Sequence, residues 1–343
     1  MKHIVKWGII GLGNIAHHFA KSFYNLDNAK LVAVASNSKE KLLRFKENYH
    51  IKSENLYNNY DEILEDNNLD IIYIALPNNL HFEWVLRGID KKKNILIEKP
   101  AFTSTSQAEL ICNHKNFQKI FLSEGYMYKY HPQIIETIKI LKSGEIGKPI
   151  QMEANCGKNL IYKKNFFGFI KKKLDKKKRI FNKKLDGGVI LDLGCYTSSI
   201  SLMIASIVKN INISNFIIKD IKTEYLDENI DVHSTANINF DNKFISSVRT
   251  SFIEEIGNDL IIRCENGKIK IENTWNPSIG NIKIFGKKER ELKFQDTKNI
   301  YSLEIHKISE DIINNKKEAS FPGTTKRDIL LSTKIINNWL NEK

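Results

Sequence analysis

The sequence predicts an α/β protein: an N-terminal doubly wound parallel sheet, then a C-terminal α+β domain with a large, open, mostly antiparallel sheet. Three observations predict it. Apolar segments of strand length alternate with helix-period segments five times in the first ~125 residues, the pattern of a parallel sheet covered on both faces. A glycine-rich turn joins the first such strand to the first helix. Beyond Ile211 the chain changes to short alternating segments joined by turn residues, the signature of antiparallel pairing.

The elements follow in order. "HIVKWGIIG" is a short buried strand ended by glycine, and "NIAHHFAKSFYNL" continues with helical spacing at Ile15, Phe19 and Phe23. "AKLVAVAS" is a second strand. "SKEKLLRFKENYH" is an amphipathic helix with Ser38 as its N-cap. A short helix "DEILEDNN", a third strand "LDIIYIALP", a helix "NLHFEWVLRGIDKKK", a fourth strand "NILIEK", a helix "STSQAELICNHKNF" and a strand "KIFLSEGYM" complete the first domain. Right-handed crossovers make this alternation doubly wound. The second domain opens with the helix "HPQIIETIKILKSGEIGKP" and the strand "IQMEANCG". After a basic loop comes "VILDLGCYTSSISLMIAS", read as one long helix. Six short strands between Ile211 and Leu292 form a meander, and two helices, about Tyr301–Asn314 and Thr325–Asn341, close the chain. The expected domains are residues 1–125 and 126–343, with the terminal helices candidates to pack back on the first.

Composition narrows the function classes. The chain has 343 residues, 41% of them hydrophobic, enough for two domains with sizeable cores. No apolar run approaches the ~20 residues of a membrane helix, and no small-residue cleavage site follows the N-terminus. Cys112, Cys156, Cys195 and Cys264 lie far apart, as free thiols of a cytoplasmic protein do, and give neither disulfide nor zinc spacing. The net charge of +13 is spread through a Lys-rich sequence, densest at Lys171–Lys184. That run reads as a solvated loop, with steering of an anionic ligand as the sharper alternative. It matches no nucleic-acid module. No metal site is expected.

"GIIGLGNIA" places Gly11, Gly13 and Ala16 in a GxGxxA arrangement between strand and helix. Gly11 allows the turn, Gly13 lets a pyrophosphate approach the backbone, and Ala16 lets the helix pack close to the sheet. With Asn14 and Ile15 this loop marks a Rossmann dinucleotide site. The second strand ends at Ser36, Asn37 and Ser38, with Lys39 and Lys41 beyond. An acidic residue there would select NAD. Its absence beside lysines favours NADP over NAD. The carboxyl ends of later strands face the same crevice. They carry Pro77, Asn78 and His81, and then Glu98, Lys99 and Pro100. Neighbouring strand residues point to opposite faces, so Glu98 and Lys99 serve separate partners. Pro100 holds Lys99 in extended geometry. In "LDGGVILDLGCYTSS", Asp192 and Tyr196 are four residues apart and share a face if helical. An acid and a phenol in so apolar a segment need partners.

Taken in order, "WGIIGLGNIAHHFAKSF", "ALPNNLHFEWVLRGID", "ILIEKPAF", "EGYMYKYHPQ", "SGEIGKP" and "RIFNKKLDGGVILDLGCYTSS" resemble the glucose–fructose oxidoreductase, inositol dehydrogenase and rhizopine-catabolism family over most of the chain. The Tyr in the last motif resembles the branch of dimeric dihydrodiol and D-xylose dehydrogenases. The resemblance implies an NAD(P)-dependent oxidoreductase acting on a sugar, polyol or sugar derivative, and the basic run Lys171–Lys184 suits a phosphorylated or nucleotide-linked one. It implies that Lys99 lies beside nicotinamide and substrate, often before a cis proline, and that Asp192 and Tyr196 are catalytic. It implies cofactor contacts at Gly11, Gly13, Pro77, Asn78, His81 and Glu98, and a substrate-side Arg179. It further implies a homo-oligomer formed through the C-terminal sheet. On this reading Tyr196 exchanges the substrate proton, Lys99 lowers the Tyr196 pKa, and Asp192 orients hydroxyls. Ser36-Asn37 departs from the Ser-Arg of many NADP-using members. Alternatives are a non-catalytic NAD(P)-binding sensor or scaffold, and an enzyme that holds NAD tightly and acts by transient oxidation and elimination.

Overall fold

The computed structural model describes residues 3–341 apart from 166–167, 173–174, 176–177, 227–228, 277–278 and 296–298. The basic run Lys171–Lys184 therefore lies partly outside the described residues. Two compact units emerge: Met1–Tyr130 with Thr297–Leu330, and His131–Asp296 with Leu331–Lys343.

The first unit runs β1 (Val5–Ile10), α1 (Asn14–Lys21), β2 (Ala29–Ala35), α2 (Lys39–Tyr49), β3 (Leu56–Tyr57), α3 (Tyr60–Glu65), β4 (Ile71–Ile74), α4 (Asn78–Asp90), β5 (Ile95–Glu98), α5 (Thr105–Cys112) and β6 (Leu122–Gly125). All six strands pair in parallel in the order β3-β2-β1-β4-β5-β6. Chain order reverses between β1 and β4, which opens a crevice at their carboxyl ends. Alternation along each strand feeds two cores. Trp7, Ile9, Val34, Tyr73 and Leu96 face one, and Ile10, Ala33, Ile72, Ile74, Ile95 and Ile97 face the other.

Two expectations change here. The two-residue β3, too short to show any period, pairs with β2 through Val34–Leu56 and Ala35–Tyr57. "NILIEK" is thus the fifth strand in chain order and not the fourth. The helix expected to run to Leu26 stops at Lys21, and Asn25 takes a left-handed φ of 67°.

The second unit continues with α6 (Pro132–Ser143), β7 (Pro149–Gly157), the small hairpin β8 (Tyr162–Asn165) and β9 (Gly168–Lys171), then α7 (Cys195–Ala205). There follow β10 (Phe216–Leu226), β11 (Ile230–Phe240), β12 (Phe244–Ser251), β13 (Leu260–Cys264), β14 (Gly267–Glu272), β15 (Ile279–Phe285) and β16 (Arg290–Gln295). Eight strands form one sheet in the order β10-β11-β12-β7-β13-β14-β15-β16. Every pair is antiparallel except β12–β7. The buried α7 packs on β7 and β12 and covers one face. The other face exposes Ile217 and Ile245, which lie in one register row with Asn239 and Gln151. The hairpin β8–β9 and the strand β16 lie in polar sequence and escaped the strand pattern.

The last two helices are α8 (Ile300–Ile313) and α9 (Lys326–Asn341). Helix α8 joins the first unit's core through Ile305 and Ile308, and Ser309 accepts the Trp7 indole N–H at 3.0 Å. Helix α9 begins in the first unit and ends in the second, where Trp339 donates to Ser234 at 2.9 Å.

The expected long helix of residues 189–206 begins instead as a π-helix, Ile190–Gly194, before becoming α7. The wider segment Lys183–Ala205 is long enough to span a membrane, and an 18-residue window in it has a mean hydropathy of 1.5, though Asp192 and its serines interrupt the apolar run. Its apolar window is 89% buried in the protein, as befits a core segment.

Candidate active site

The first unit builds one cluster at the carboxyl ends of its strands. Gly11 has φ +89°, and a Cβ there would stand 2.6 Å from the Ala75 carbonyl oxygen, so the turn that leaves β1 beside the end of β4 requires glycine. Gly13 is the N-cap of α1. It offers no side chain, the first turn of α1 carries no acid, and a Cβ at Gly13 would meet nothing within 4 Å. Asn14 is exposed beside it, Ile15 is half-buried and Ala16 is buried against the sheet. This open, uncapped helix start fits a pyrophosphate. At the end of β2, the buried Ser36 accepts from the Ser38 N–H at 3.2 Å, and Ser38 accepts from the Lys41 N–H. Asn37, Lys39 and Lys41 are exposed. His17, which the sequence reading did not single out, sits 2.8 Å from the Tyr49 hydroxyl. Partial burial lowers its pKa, and Arg44, Lys21 and Lys41 add to the effect. The loop therefore has a basic flank on α1 and α2.

The ends of β4 and β5 are tied together by side chains. Pro77 precedes α4, and Asn78 is buried in its first turn. His81 is wholly buried, with Nδ1 2.8 Å from the Pro100 carbonyl oxygen and Nε2 2.8 Å from that of Leu76. Glu98 accepts from the Tyr73 hydroxyl with one oxygen and from the Lys99 N–H, at 3.2 Å, with the other. Glu124, at the end of β6, accepts from the Ala101 N–H at 2.8 Å. Three successive residues, Lys99, Pro100 and Ala101, thus each have a backbone group held by a side chain. The Lys99–Pro100 peptide is cis, as the resemblance implies, and Lys99 itself is half-buried.

The second unit builds another cluster around the π-helix. Arg179 leads a 3₁₀ turn and forms an ion pair with Asp192, both side chains largely shielded from solvent. Asp192 and Tyr196 therefore sit on a π turn running into α7 and not on a single α-helix. Tyr196 is half-buried, with its ring 5.8 Å from that of Trp275. Two glycines make this packing possible. A Cβ on Gly187 would lie 2.3 Å from the Arg179 carbonyl oxygen, and one on Gly188, at φ +127°, would lie 2.1 Å from the Asp231 carboxylate. Asp231, buried on β11, accepts from the Ile190 N–H at 2.7 Å and so caps the helical segment that carries Asp192 and Tyr196. Neither Asp231 nor Trp275 was legible as a site residue, because neither lies in the glycine-rich motif. Among the described residues no cluster of three or more His, Cys, Asp or Glu suits a metal ion.

Residues 5–126 match the model of an oxidoreductase family with an NAD-binding Rossmann fold, and residues 135–270 match the GFO/IDH/MocA C-terminal domain. The chain belongs to this oxidoreductase family. Among curated relatives of this GFO/IDH/MocA chain, the D-xylose 1-dehydrogenase (NADP(+)) of Hypocrea jecorina is 31% identical over 57% of this chain and 51% of its own. The trans-1,2-dihydrobenzene-1,2-diol dehydrogenase of Xenopus tropicalis is 30% identical over 56% of this chain and 54% of its own. The chain thus spans about half the length of these relatives. Among solved structures, the aldose-aldose oxidoreductase of Caulobacter crescentus has a TM-score of 0.82 at 20% identity, covering 98% of this chain and 96% of that one. A 3-ketoreductase from Actinomadura kijaniata, solved with NADP and TDP-benzene, has a TM-score of 0.79 at 18% identity over the same shares. These two likenesses concern the fold.

In this family member the Lys-Pro turn rests on buried carboxyls. Burial raises the Glu124 pKa from 4.5 to about 7, opposed by its bond from Ala101 and by the Lys129 charge. Burial also pushes Glu304, on α8, well above the carboxylate range, reinforced by Glu98. Lys129 is lowered by its own burial and donates to Thr324 at 3.1 Å. The folded state thus binds the Glu124 proton more tightly than the unfolded state does. The benefit is complete below about pH 4.5 and is lost as pH rises through about 7, a cost on the order of 3 kcal/mol. Glu124→Gln keeps a carbonyl acceptor for Ala101 without that titration. Its melting temperature relative to wild type is expected to rise between pH 5 and pH 8 by several degrees. Parallel melting curves for the two proteins across that range would contradict this role for Glu124.

Proposed function

We propose that this chain is an NAD(P)-dependent oxidoreductase, preferring NADP, that interconverts a carbinol and a carbonyl on a sugar, polyol or sugar derivative. The observation that carries the reading is Lys99. It stands on a turn held at three backbone positions, at the carboxyl end of β5, in the sheet whose open phosphate loop ends β1. Family membership, the relative named D-xylose 1-dehydrogenase (NADP(+)) and the absence of a carboxylate at Ser36-Asn37 support the same reading.

Gly11, Gly13, Asn14 and Ile15 would hold the pyrophosphate, and Ser36, Asn37 and Lys41 the adenosine end, with Arg44 adding positive charge for a 2′-phosphate. The bound nicotinamide supplies the hydride acceptor or donor. Oxidation of a carbinol releases one hydride and one hydroxyl proton, so an acid/base must take the proton. We assign that exchange to Tyr196, with Lys99 holding the substrate oxygen. Asp192, paired with Arg179, accepts hydrogen bonds from neighbouring hydroxyls. Pro77, Asn78, His81 and Glu98 act on the cofactor side, His81 and Glu98 through the backbone they hold. The exposed row of Ile217 and Ile245 on the eight-stranded sheet supports a second copy of this chain as the partner.

Lys99→Ala and Tyr196→Phe are each expected to lower kcat by about 100-fold or more in a dehydrogenase assay with NADP and a sugar and polyol panel. Wild-type turnover in either variant would refute the assignment. Ile245→Asp is expected to move the protein to monomer in analytical ultracentrifugation, with its secondary structure intact. An unchanged mass would remove the sheet face from the interface.

A further inference from the structure

His81 makes two contacts that a neutral imidazole cannot satisfy. Its Nδ1 and Nε2 each lie 2.8 Å from a backbone carbonyl oxygen, of Pro100 and Leu76 respectively. A carbonyl oxygen only accepts. Neutral histidine has one N–H, and its other nitrogen carries a lone pair. In either neutral tautomer, one of the two contacts would set that lone pair against a carbonyl oxygen at hydrogen-bonding distance with no proton between them. The ring is wholly buried, so water does not offer itself as the missing donor. Only the imidazolium donates to both oxygens.

A buried cation needs strong partners and nearby negative charge. The two carbonyl bonds are charge-assisted, and the turn that His81 grips also engages the Glu98 carboxylate at the Lys99 N–H, with Glu124, its pKa raised to about 7, at the Ala101 N–H. The two carboxyl groups take the N–H groups of the turn, and the imidazole takes its carbonyl.

We propose that His81 is a doubly protonated positioning residue, an imidazolium that ties the end of β4 to the Lys99–Pro100 turn and thereby sets where Lys99 stands. The consequence for turnover rests on the function proposed above for Lys99; the protonation state does not.

The test uses the full-length protein labelled with ¹⁵N-histidine, with the His81 signals assigned by their loss in His81→Gln. Near neutral pH, both His81 ring nitrogens are expected to resonate in the protonated range. One nitrogen in the unprotonated range would overturn the proposal. The glutamine amide can donate to only one of the two carbonyls at a time. His81→Gln is therefore expected to lower kcat by about 10- to 100-fold through misplacement of Lys99. KM for NADP is expected to change by a smaller factor than kcat, because the pyrophosphate loop is untouched. A folded His81→Gln protein with wild-type kcat would overturn the positioning role. If the variant does not fold, ring signals are assigned in the wild type from their couplings, and the same spectrum decides. A wild type without turnover on any sugar or polyol would defeat the functional reading alone, since the nitrogen spectrum requires no turnover.

Discussion

The backbone of Lys99, Pro100 and Ala101 is the constraint on which the first unit's site depends. Each of these residues gives a polar backbone group to a side chain from a different place: Glu98 beside the turn, His81 on α4 and Glu124 on β6. A lysine at a strand end is ordinarily a mobile charge with several rotatable bonds. Here its backbone has no such freedom. The cost falls on the interior. Glu124 and Glu304 are buried carboxyls pushed towards neutrality, and Tyr73 is a buried phenol bonded to Glu98. Ionisable groups in a core are destabilising unless they secure something else. In this unit they secure the ends of three adjacent strands.

The second unit solves a similar problem with glycine. Asp192 and Tyr196 ride on a π turn, a form often found where a helix re-aims side chains. Its first N–H groups are capped from across the sheet by Asp231, and the preceding glycines leave room for that carboxylate and for the Arg179 turn. Arg179 then returns to neutralise Asp192. In both units a side chain with chemistry to do is held by polar groups acting on backbone, and all of those groups but Glu98 lie far from it in sequence.

This explains what the sequence made legible. The parallel sheet, its glycine turn and the pair Lys99–Pro100 could be read because each depends on local pattern: apolar period, a tight turn, a fixed strand end. Strand alternation set Glu98 apart from Lys99, but did not reveal its bonds to the Tyr73 hydroxyl, 25 residues away, and to the Lys99 N–H. Asp231 and Trp275 could not be read, since their contacts arise only when β11 and the chain after β14 fold against the α7 region. β3 was missed because two residues carry no period, and β16 because an edge strand in charged sequence lacks an apolar face. The π turn was missed because its composition is that of an ordinary apolar helix.

The central claim is that the turn carrying Lys99 is rigid because the side chains of Glu98, His81 and Glu124 hold its backbone. Amide hydrogen exchange under native conditions measures this directly, residue by residue. The account predicts that the Lys99 and Ala101 amides, bonded to Glu98 and Glu124, exchange as slowly as those of Ile95 and Ile97 within β5. Exchange at the rate of exposed loop amides such as Asn37 would contradict it.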